Sequence, residues 1–359
     1  DILRTSEAFV DEMNRGLRGE DSSLMMICTY ISPEGEIPPG EPVIAVDAGG
    51  TNFRVALVRF DEKRMPVIDY FKTYPMLGTE RELYGQEFFD TVSQYLLPVI
   101  DRSRKIGFCF SFPTEILPNK DGRLIMFDKE VRVRDVEGVN IGEQLLKILK
   151  KKGVAEDKNI VLLNDTVATL LGGKASNPER TYDSYIGFIL GTGTNTCYIE
   201  DNRNITKVPS VAMQEGFTII NIESGGFDKV PRGEIDIRFD SSTDNPGAQK
   251  FEKMISGAYL GRLVLEIMKI AAAEGLFSKE FAGRIREIRN LTTRDINEFT
   301  LSGHFDCGNE ADEKDRVILY YIIDSVLERA ARLAAANLAG VMLKTGKGKN
   351  PCLPVCVAA

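Results

Sequence analysis

Two short glycine-threonine segments, one in each half of the chain, carry the residues with the clearest chemical potential. Residues 47–52 read Asp-Ala-Gly-Gly-Thr-Asn, and residues 190–195 read Leu-Gly-Thr-Gly-Thr-Asn. Glycines allow positive φ angles and close approach of a ligand, so successive backbone N–H groups of such a turn can point at phosphate oxygens. The pattern predicts one phosphate-binding turn used twice, although either segment alone also fits an ordinary β-hairpin.

A carboxylate distinguishes the two segments, because the first has Asp47 where the second has Leu190. Mg²⁺ keeps several of its waters and takes only one or two carboxylates beside substrate phosphates. A single aspartate next to a phosphate-binding turn therefore favours one magnesium ion, held by Asp47 through water.

Between the two segments, residues 162–168 read Leu-Leu-Asn-Asp-Thr-Val-Ala, an apolar strand that ends where a helix begins. Ligands of open α/β sheets bind at the carboxyl ends of strands, where Asp165 is predicted to stand. Phosphoryl transfer to a hydroxyl needs a residue that accepts the hydroxyl proton, and a helix N-terminus favours an ionised carboxylate. An aspartate at this position is also a common helix cap, so both roles stay open.

Composition restricts the class of partner. The 359 residues contain 45 Lys and Arg against 53 Asp and Glu, which gives a net charge of −8. An acidic surface disfavours nucleic acid and anionic membranes, so a small-molecule partner is expected. No apolar stretch of membrane-spanning length and no signal-peptide pattern is found, which predicts a cytoplasmic protein. The six cysteines form no CxxC pair, and His304 is the one histidine, which excludes His-based triads.

Alternating apolar runs and amphipathic segments predict an α/β protein. A chain of this length is expected to form two lobes. We predict an N-terminal helix and crossover over residues 1–40, a small domain over 41–164 and a large domain over 165–359. The predicted helices lie near residues 1–18, 83–102, 141–152, 165–174, 247–273 and 311–342. The predicted strands lie near residues 43–46, 53–58, 67–71, 106–112, 160–163, 185–189 and 196–199.

Six motifs follow one another along the chain, at residues 47–54, 110–113, 164–166, 191–195, 222–227 and 245–253. In order and approximate spacing they resemble the motifs of the hexokinase/glucokinase family, and the resemblance runs from about residue 40 to the end. The resemblance implies a two-lobed actin-like (ribonuclease H-like) sugar kinase fold with an interlobe cleft. It implies transfer of the γ-phosphate of ATP, with Mg²⁺, to the 6-hydroxyl of a hexose such as glucose, by a monomer or homodimer of a bacterial or lower-eukaryote type.

The resemblance also assigns site residues. It implies that Asp165 is the catalytic base, with Lys129 as a second catalytic group. The implied hexose-binding residues are Ser111, Lys129, Asn164, Asp165, Asn195, Glu223 and Glu252. The implied nucleotide-binding residues are Asp47, Gly49, Gly50, Thr51, Asn52, Arg54, Gly191, Thr192 and Gly193. Ionised carboxylates and asparagines suit a ring of hydroxyls, because the former accept and the latter both donate and accept hydrogen bonds.

Two departures from the family pattern bear on these predictions. Asp128 stands before Lys129 where family members usually have threonine, so the sugar contact made there should change. The chain also stops after a strand near residues 354–357, without the family's following adenosine-pocket segment, and a chain lacking the C-terminal end is expected. The alternatives are a related kinase acting on another sugar acceptor and a non-catalytic sugar sensor.

Overall fold

The structure is a computed structural model, and it describes residues 1–35, 38–127, 131–154, 157–176, 179–303 and 311–359. In these ranges the strands are β1 (Ile27–Cys28), β2 (Val43–Ala48), β3 (Asn52–Phe60), β4 (Pro66–Pro75), β5 (Leu83–Tyr84), β6 (Lys105–Phe110), β7 (Thr114–Ile116), β8 (Gly122–Leu124), β9 (Val133–Arg134), β10 (Asn159–Leu163), β11 (Ser184–Leu190), β12 (Thr194–Asp201), β13 (Phe217–Asn221) and β14 (Val355–Ala358). The helices there are α1 (Ile2–Arg18), α2 (Gly85–Leu96), α3 (Ile141–Lys151), α4 (Asp165–Ser176), α5 (Pro209–Ala212), α6 (Glu234–Ser241), α7 (Glu252–Ile255), α8 (Leu260–Ala273), α9 (Lys279–Glu287), α10 (Thr293–Ser302) and α11 (Glu313–Thr345).

The first sheet has the strand order β10-β6-β2-β3-β4. Strands β2 and β3 form the antiparallel hairpin around the first glycine-threonine turn, whereas β6 and β10 run parallel to β2. In this register Asp47, Cys109 and Leu163 lie in one row across β2, β6 and β10. The carboxyl ends of three parallel strands therefore meet at the edge from which Asp165 follows.

The second sheet has the order β1-β13-β12-β11-β14, and β11 and β12 form the hairpin around the second glycine-threonine turn. Helix α4 packs closely on this sheet. A Cβ atom on Gly187 of β11 would lie 2.3 Å from the carbonyl oxygen of Thr166, so only glycine fits at this contact. The chain thus passes from β10 of the first sheet directly into a helix that packs on the second.

Each sheet has its own hydrophobic core. One core is built from residues of β2, β3, β6, β10, α2 and α3. The other combines α1 with β11–β13, α8 and α11, and in it the hydroxyl of Ser6 donates a 3.0 Å hydrogen bond to the carbonyl oxygen of Ala336. These cores define the two lobes, whereas the boundaries at residues 40 and 164 stay predictions. Among the described residues no helix, including the 33-residue α11, is long and apolar enough to span a membrane.

The structure corrects two predicted helices. The prediction of one helix over residues 247–273 is wrong, because α7 and α8 are separated by residues 256–259. The N–H groups of Gly257 and Ala258 instead donate to the carbonyl oxygens of Gly191 and Thr192 in the second hairpin, at 2.8 and 3.1 Å. The helix predicted over residues 83–102 ends at Leu96, two residues before Pro98, which lacks the N–H that a continuing helix needs.

Candidate active site

The first hairpin places one carboxylate beside one cation. Asp47 on β2 lies opposite Arg54 on β3, and the Arg54 guanidinium donates a 2.6 Å hydrogen bond to Asp47 Oδ2. Both side chains are about 40% exposed, at 43% for Arg54 and 37% for Asp47, so a ligand can reach the pair. In the turn itself the N–H of Gly49 donates to the carbonyl oxygen of Asn52 at 3.1 Å.

The second hairpin is held by the large lobe. Its turn is closed by a 2.9 Å hydrogen bond from the N–H of Gly191 to the carbonyl oxygen of Gly193. The two hydrogen bonds from residues 257 and 258 occupy turn carbonyls, and the hydroxyl of Thr293 in turn donates to the carbonyl oxygen of Gly257 at 2.6 Å. The turn is therefore fixed in place by the segment between α7 and α8.

The expectation of positive φ angles at the turn glycines is wrong, since none of Gly49, Gly50, Gly191 and Gly193 has one, whereas close approach of a ligand stays a prediction. At Gly193 the requirement is space. A Cβ atom there would lie 2.6 Å from Oε2 of Glu252, whereas a Cβ atom on Gly191 would meet nothing within 4 Å. The second hairpin is thus shaped to receive a carboxylate that sequence analysis assigned to the hexose.

Asp165 is the first residue of α4, and its carboxylate is hydrogen-bonded within the first turn of the helix. Its Oδ1 accepts the Thr166 N–H at 2.8 Å, and Asn164 Oδ1 accepts the same group at 2.9 Å. Burial, followed by the carboxylates of Asp47 and Asp165, raises the pKa of the Cys109 thiol on the first sheet. Burial also raises the pKa of Cys197 on the second sheet, and the Asp165 carboxylate adds to that effect. Cys109 of the first sheet and Cys197 of the second therefore both lie near the Asp165 carboxylate.

A cluster of amides and a carboxylate lies beside Asp165. The Asn195 amide donates to Glu223 Oε1 and to Asn221 Oδ1, each at 2.9 Å, and lies 3.5 Å from Asn164 Oδ1. The Asn221 amide donates to the same Glu223 oxygen at 2.7 Å. Glu223 has a left-handed backbone with φ of 58°, which is uncommon for a residue other than glycine and is found enriched at functional sites.

Glu252 joins this cluster through the second hairpin. Its Oε2 accepts a 2.9 Å hydrogen bond from the N–H of Thr194, the residue before Asn195. The backbone after Glu223 packs against it, because a Cβ atom on Gly225 would lie 3.3 Å from Glu252 Cβ. Asn164, Asn195, Glu223 and Glu252, predicted from four separate motifs, therefore meet in one place.

The remaining predicted residues are located less completely. Ser111 follows β6, and its N–H donates to the carbonyl oxygen of Ala48 at 3.2 Å, which places it against the first hairpin. The carbonyl oxygen of Thr51 accepts from the N–H of Met76 at 3.0 Å. Lys129 and the neighbouring Asp128 lie outside the described residues, as does His304.

Two residues of the site were missed by sequence analysis. Asn221, only 4% exposed, ends a strand of apolar residues, and this polar ending was the available signal. Cys109 lies in the row with Asp47 and next to the Asp165 charge, but its residue type gave no signal, because buried cysteines usually serve as small hydrophobic residues.

The described residues contain no group of three or more His, Cys, Asp or Glu side chains arranged around a metal ion. The accessible carboxylate of Asp47 fits a magnesium ion that keeps most of its waters, because such an ion takes only one or two protein carboxylates. One carboxylate is too few ligands for a metal ion that is coordinated by protein side chains alone.

Two α/β lobes, a glycine-threonine hairpin on each and a carboxylate at the crossover between them define the actin-like sugar kinase fold. The sequence matches family models described as hexokinase over residues 1–175 and 185–358. The chain belongs to the hexokinase family and is a hexokinase-type phosphotransferase.

Individual relatives agree with this assignment. The chain is 35% identical to hexokinase-5 of Oryza sativa subsp. japonica, covering 96% of this chain and 73% of that protein. It is 32% identical to hexokinase-3 of Mus musculus, covering 95% of this chain but only 38% of that protein. Among solved structures, the hexokinase from Schistosoma mansoni complexed with glucose matches with a TM-score of 0.80 and 25% identity, covering 99% of this chain and 92% of that one.

Proposed function

We propose that this protein is an ATP-dependent hexokinase that transfers the γ-phosphate of Mg-ATP to the 6-hydroxyl of a hexose such as glucose, with Asp165 as the catalytic base. The observation that carries the proposal is the position of Asp165. It begins the helix that follows β10 of the first sheet and packs on the second sheet at Gly187, and it is adjacent in sequence to Asn164 of the amide and carboxylate cluster.

The polar cluster would bind the sugar. Glu223 and Glu252 accept hydrogen bonds from hydroxyls, and Asn164 and Asn195 both donate and accept. A site built in this way rejects analogues that lack a hydroxyl, because a buried polar group would then be left unpaired. The glucose bound to the Schistosoma mansoni hexokinase supports a hexose as the occupant here. Ser111 and Lys129 would complete the sugar contacts from the small lobe.

The two hairpins would hold the phosphates from opposite lobes, with Gly49, Gly50, Thr51 and Asn52 on one side and Gly191, Thr192 and Gly193 on the other. Arg54 would contribute positive charge beside them. When bound, Mg²⁺ neutralises charge on the phosphate oxygens, and Asp47 is the residue that would hold it through water.

Besides positioning the substrates, the protein must accept the proton of the 6-hydroxyl group during transfer. As the 6-hydroxyl oxygen forms its bond to the γ-phosphorus, the bond to the β-phosphate oxygen breaks and ADP leaves. The hydroxyl proton moves to the free carboxylate oxygen of Asp165, while Oδ1 stays bonded to the Thr166 N–H. Closure of the lobes around the sugar would exclude water, which competes as a phosphate acceptor.

A coupled assay for ADP with Mg-ATP and glucose, mannose, fructose, N-acetylglucosamine or no sugar tests the proposal. We expect ADP formation only with a hexose. Formation of ADP that is independent of sugar would contradict a hexokinase, and sugar binding without ADP would favour a non-catalytic sugar sensor.

The base assignment is tested by Asp165→Asn, which keeps an oxygen acceptor for the Thr166 N–H. We expect kcat to fall by about 10²–10⁴-fold, the usual contribution of a general base. Glucose affinity measured by calorimetry should stay within a few-fold of the wild-type value. A kcat close to that of the wild-type protein would exclude Asp165 as the base.

A further inference from the structure

Helix α7 carries Glu252 at its first position but cannot hold itself in place. It is a single turn of four residues, Glu252–Ile255, and its N-cap residue Phe251 makes no side-chain capping hydrogen bond. Isolated helices of this length are unstable, because one turn does not recover the entropy lost in forming it. The position of the Glu252 carboxylate must therefore be set by tertiary contacts.

The next residue supplies such a contact. The ammonium group of Lys253 is buried, with 3% of the side chain exposed, and lies 2.5 Å from Oδ1 of Asp240 in the last turn of α6. The same group donates to the carbonyl oxygen of Asn245 at 2.8 Å. Lys253 therefore ties α7 both to α6 and to the loop that joins the two helices.

Asp240 is bonded on several sides. Its carboxylate also accepts the N–H of Gly247 at 3.1 Å and the Arg232 guanidinium at 3.1 Å, and its carbonyl oxygen accepts the Thr243 hydroxyl at 2.7 Å. Burial pushes the pKa of Asp240 up, but the bonds from Lys253 and Gly247 outweigh it and hold the pKa below its ordinary value. The Asp240–Lys253 ion pair is thus charged on both sides and is hydrogen-bonded to the loop between α6 and α7.

The far end of this loop reaches the sugar-binding cluster. The N–H of Phe251 donates to the carbonyl oxygen of Gly225 at 3.1 Å, two residues after Glu223. The carbonyl oxygen of Gln249, whose φ is 49°, accepts the N–H of Lys253 at 3.1 Å. A displacement of the loop would therefore change the placement of both carboxylates of the cluster, and that of Glu252 most directly.

We propose that the buried ion pair between Asp240 and Lys253 positions Glu252 for hexose binding, which makes both members positioning residues of the sugar site; the inference rests on the proposed hexokinase function. We do not propose that either side chain contacts the sugar. The pair acts through the backbone of α7 and of the loop over residues 242–251.

The test compares two variants that break the pair with one that breaks another buried pair. Lys253→Met removes the ammonium group at similar length, and Asp240→Asn removes the carboxylate charge at nearly constant shape. The control is Lys344→Met, because Lys344 is 8% exposed and pairs at 2.9 Å with Glu200, which is 3% exposed, in the same lobe. For each protein we would measure kcat, the KM values for glucose and Mg-ATP, the glucose Kd by calorimetry, and Tm.

We expect Lys253→Met and Asp240→Asn each to raise the glucose KM and Kd by about 10–150-fold, the range that corresponds to losing one hydrogen bond between Glu252 and the sugar. The Mg-ATP KM should stay within about threefold. The double variant should show about the same glucose KM as either single variant, because residues that act as one unit are not additive. Lys344→Met should lower Tm while leaving both KM values within about threefold.

Several results would overturn the inference. One is a glucose KM and Kd that stay unchanged in folded Lys253→Met or Asp240→Asn. Another is an equal rise in the KM values for glucose and for Mg-ATP. A third is misfolding of both variants while Lys344→Met folds. Wild-type protein that binds glucose but forms no ADP would refute the proposed transfer reaction, and the Kd comparison would still decide the positioning role. Wild-type protein that neither binds nor phosphorylates glucose would refute both.

Discussion

Substitution of Gly193 by alanine is the perturbation whose effect can be worked most directly from the structure. The added Cβ atom would lie 2.6 Å from Glu252 Oε2, whereas ordinary contact begins at 3.4 Å, so the carboxylate must retreat by about 0.8 Å. Its 2.9 Å hydrogen bond from the Thr194 N–H would lengthen beyond the usual limit. Because the clashing atom ends a flexible side chain and the φ of Gly193 is not positive, the fold should tolerate the change.

The expected consequence is a selective loss of hexose affinity. A hydrogen bond to a charged group contributes about 1.5–3 kcal/mol, so the glucose KM should rise by about 10–150-fold if Glu252 binds the sugar. Steady-state kinetics with varied glucose at saturating Mg-ATP would measure the effect, and calorimetry would supply the matching Kd. The unfolding temperature should change little.

Gly191→Ala is the matched comparison, because a Cβ atom there meets nothing within 4 Å and does not approach Glu252. We expect its glucose KM to stay within about twofold of the wild-type value, even if the Mg-ATP KM changes. A glucose KM for Gly193→Ala that is also within about twofold, in a folded protein, would refute the assignment of Glu252 to the sugar.

Three further predictions follow from single groups. Asp47→Asn should raise the Mg-ATP KM by about tenfold, as expected for loss of a charged partner, without changing the glucose Kd; an unchanged magnesium dependence would contradict its role. Buried Glu12, although burial pushes its pKa up, is held below its ordinary value of 4.5 by hydrogen bonds from Ser23 and by Lys229, so its ionised form stabilises the protein above pH 4.5. Glu12→Gln should therefore lose about 1–3 kcal/mol of stability at neutral pH in calorimetric unfolding, and this difference should shrink as the pH falls through the folded pKa; a constant difference would refute it. Since burial raises the pKa of Cys197, iodoacetamide should alkylate exposed Cys352 in the folded protein and Cys197 only after unfolding, as read by peptide mass spectrometry; early labelling of Cys197 would contradict its burial.

The sequence predicted the elements whose pattern is local. The strands of the first hairpin, observed at Val43–Ala48 and Asn52–Phe60, follow from alternating apolar residues around a glycine turn, and α4 follows from a cap-like Asn-Asp-Thr start. The interior strand β13 was missed because its pairing with β12 is set by residues distant in sequence. The break between α7 and α8 was missed for the same reason, since its N–H groups bond to the other hairpin.

For the candidate site, too, the sequence predicted residues that lie in local motifs and missed features that depend on contacts between distant residues. The strand-to-helix junction singled out Asp165, and the resemblance to the hexokinase/glucokinase family supplied Asn195, Glu223 and Glu252 as candidates. The roles of all four residues stay predictions. Only the structure shows that Glu223 adopts a left-handed backbone and that Asn221 bonds to it, because neither feature has a local sequence requirement. The sequence also could not show why residue 193 must be glycine. A glycine needed because a neighbouring side chain leaves no room for a Cβ atom looks the same in a sequence as one needed for its backbone conformation.

The passage from β10 into α4 has a consequence for modularity. The last strand of one lobe leads through Asn164 into a helix that packs on the other lobe, and the proposed base stands at that junction. Neither lobe expressed alone would contain both the hairpin with Asp47 and the Glu223 cluster. An insertion at Asn164, unlike one in a surface loop, would separate the proposed base from the cluster. The two lobes each carry a glycine-threonine hairpin, but the proposed site needs both lobes and the junction that joins them.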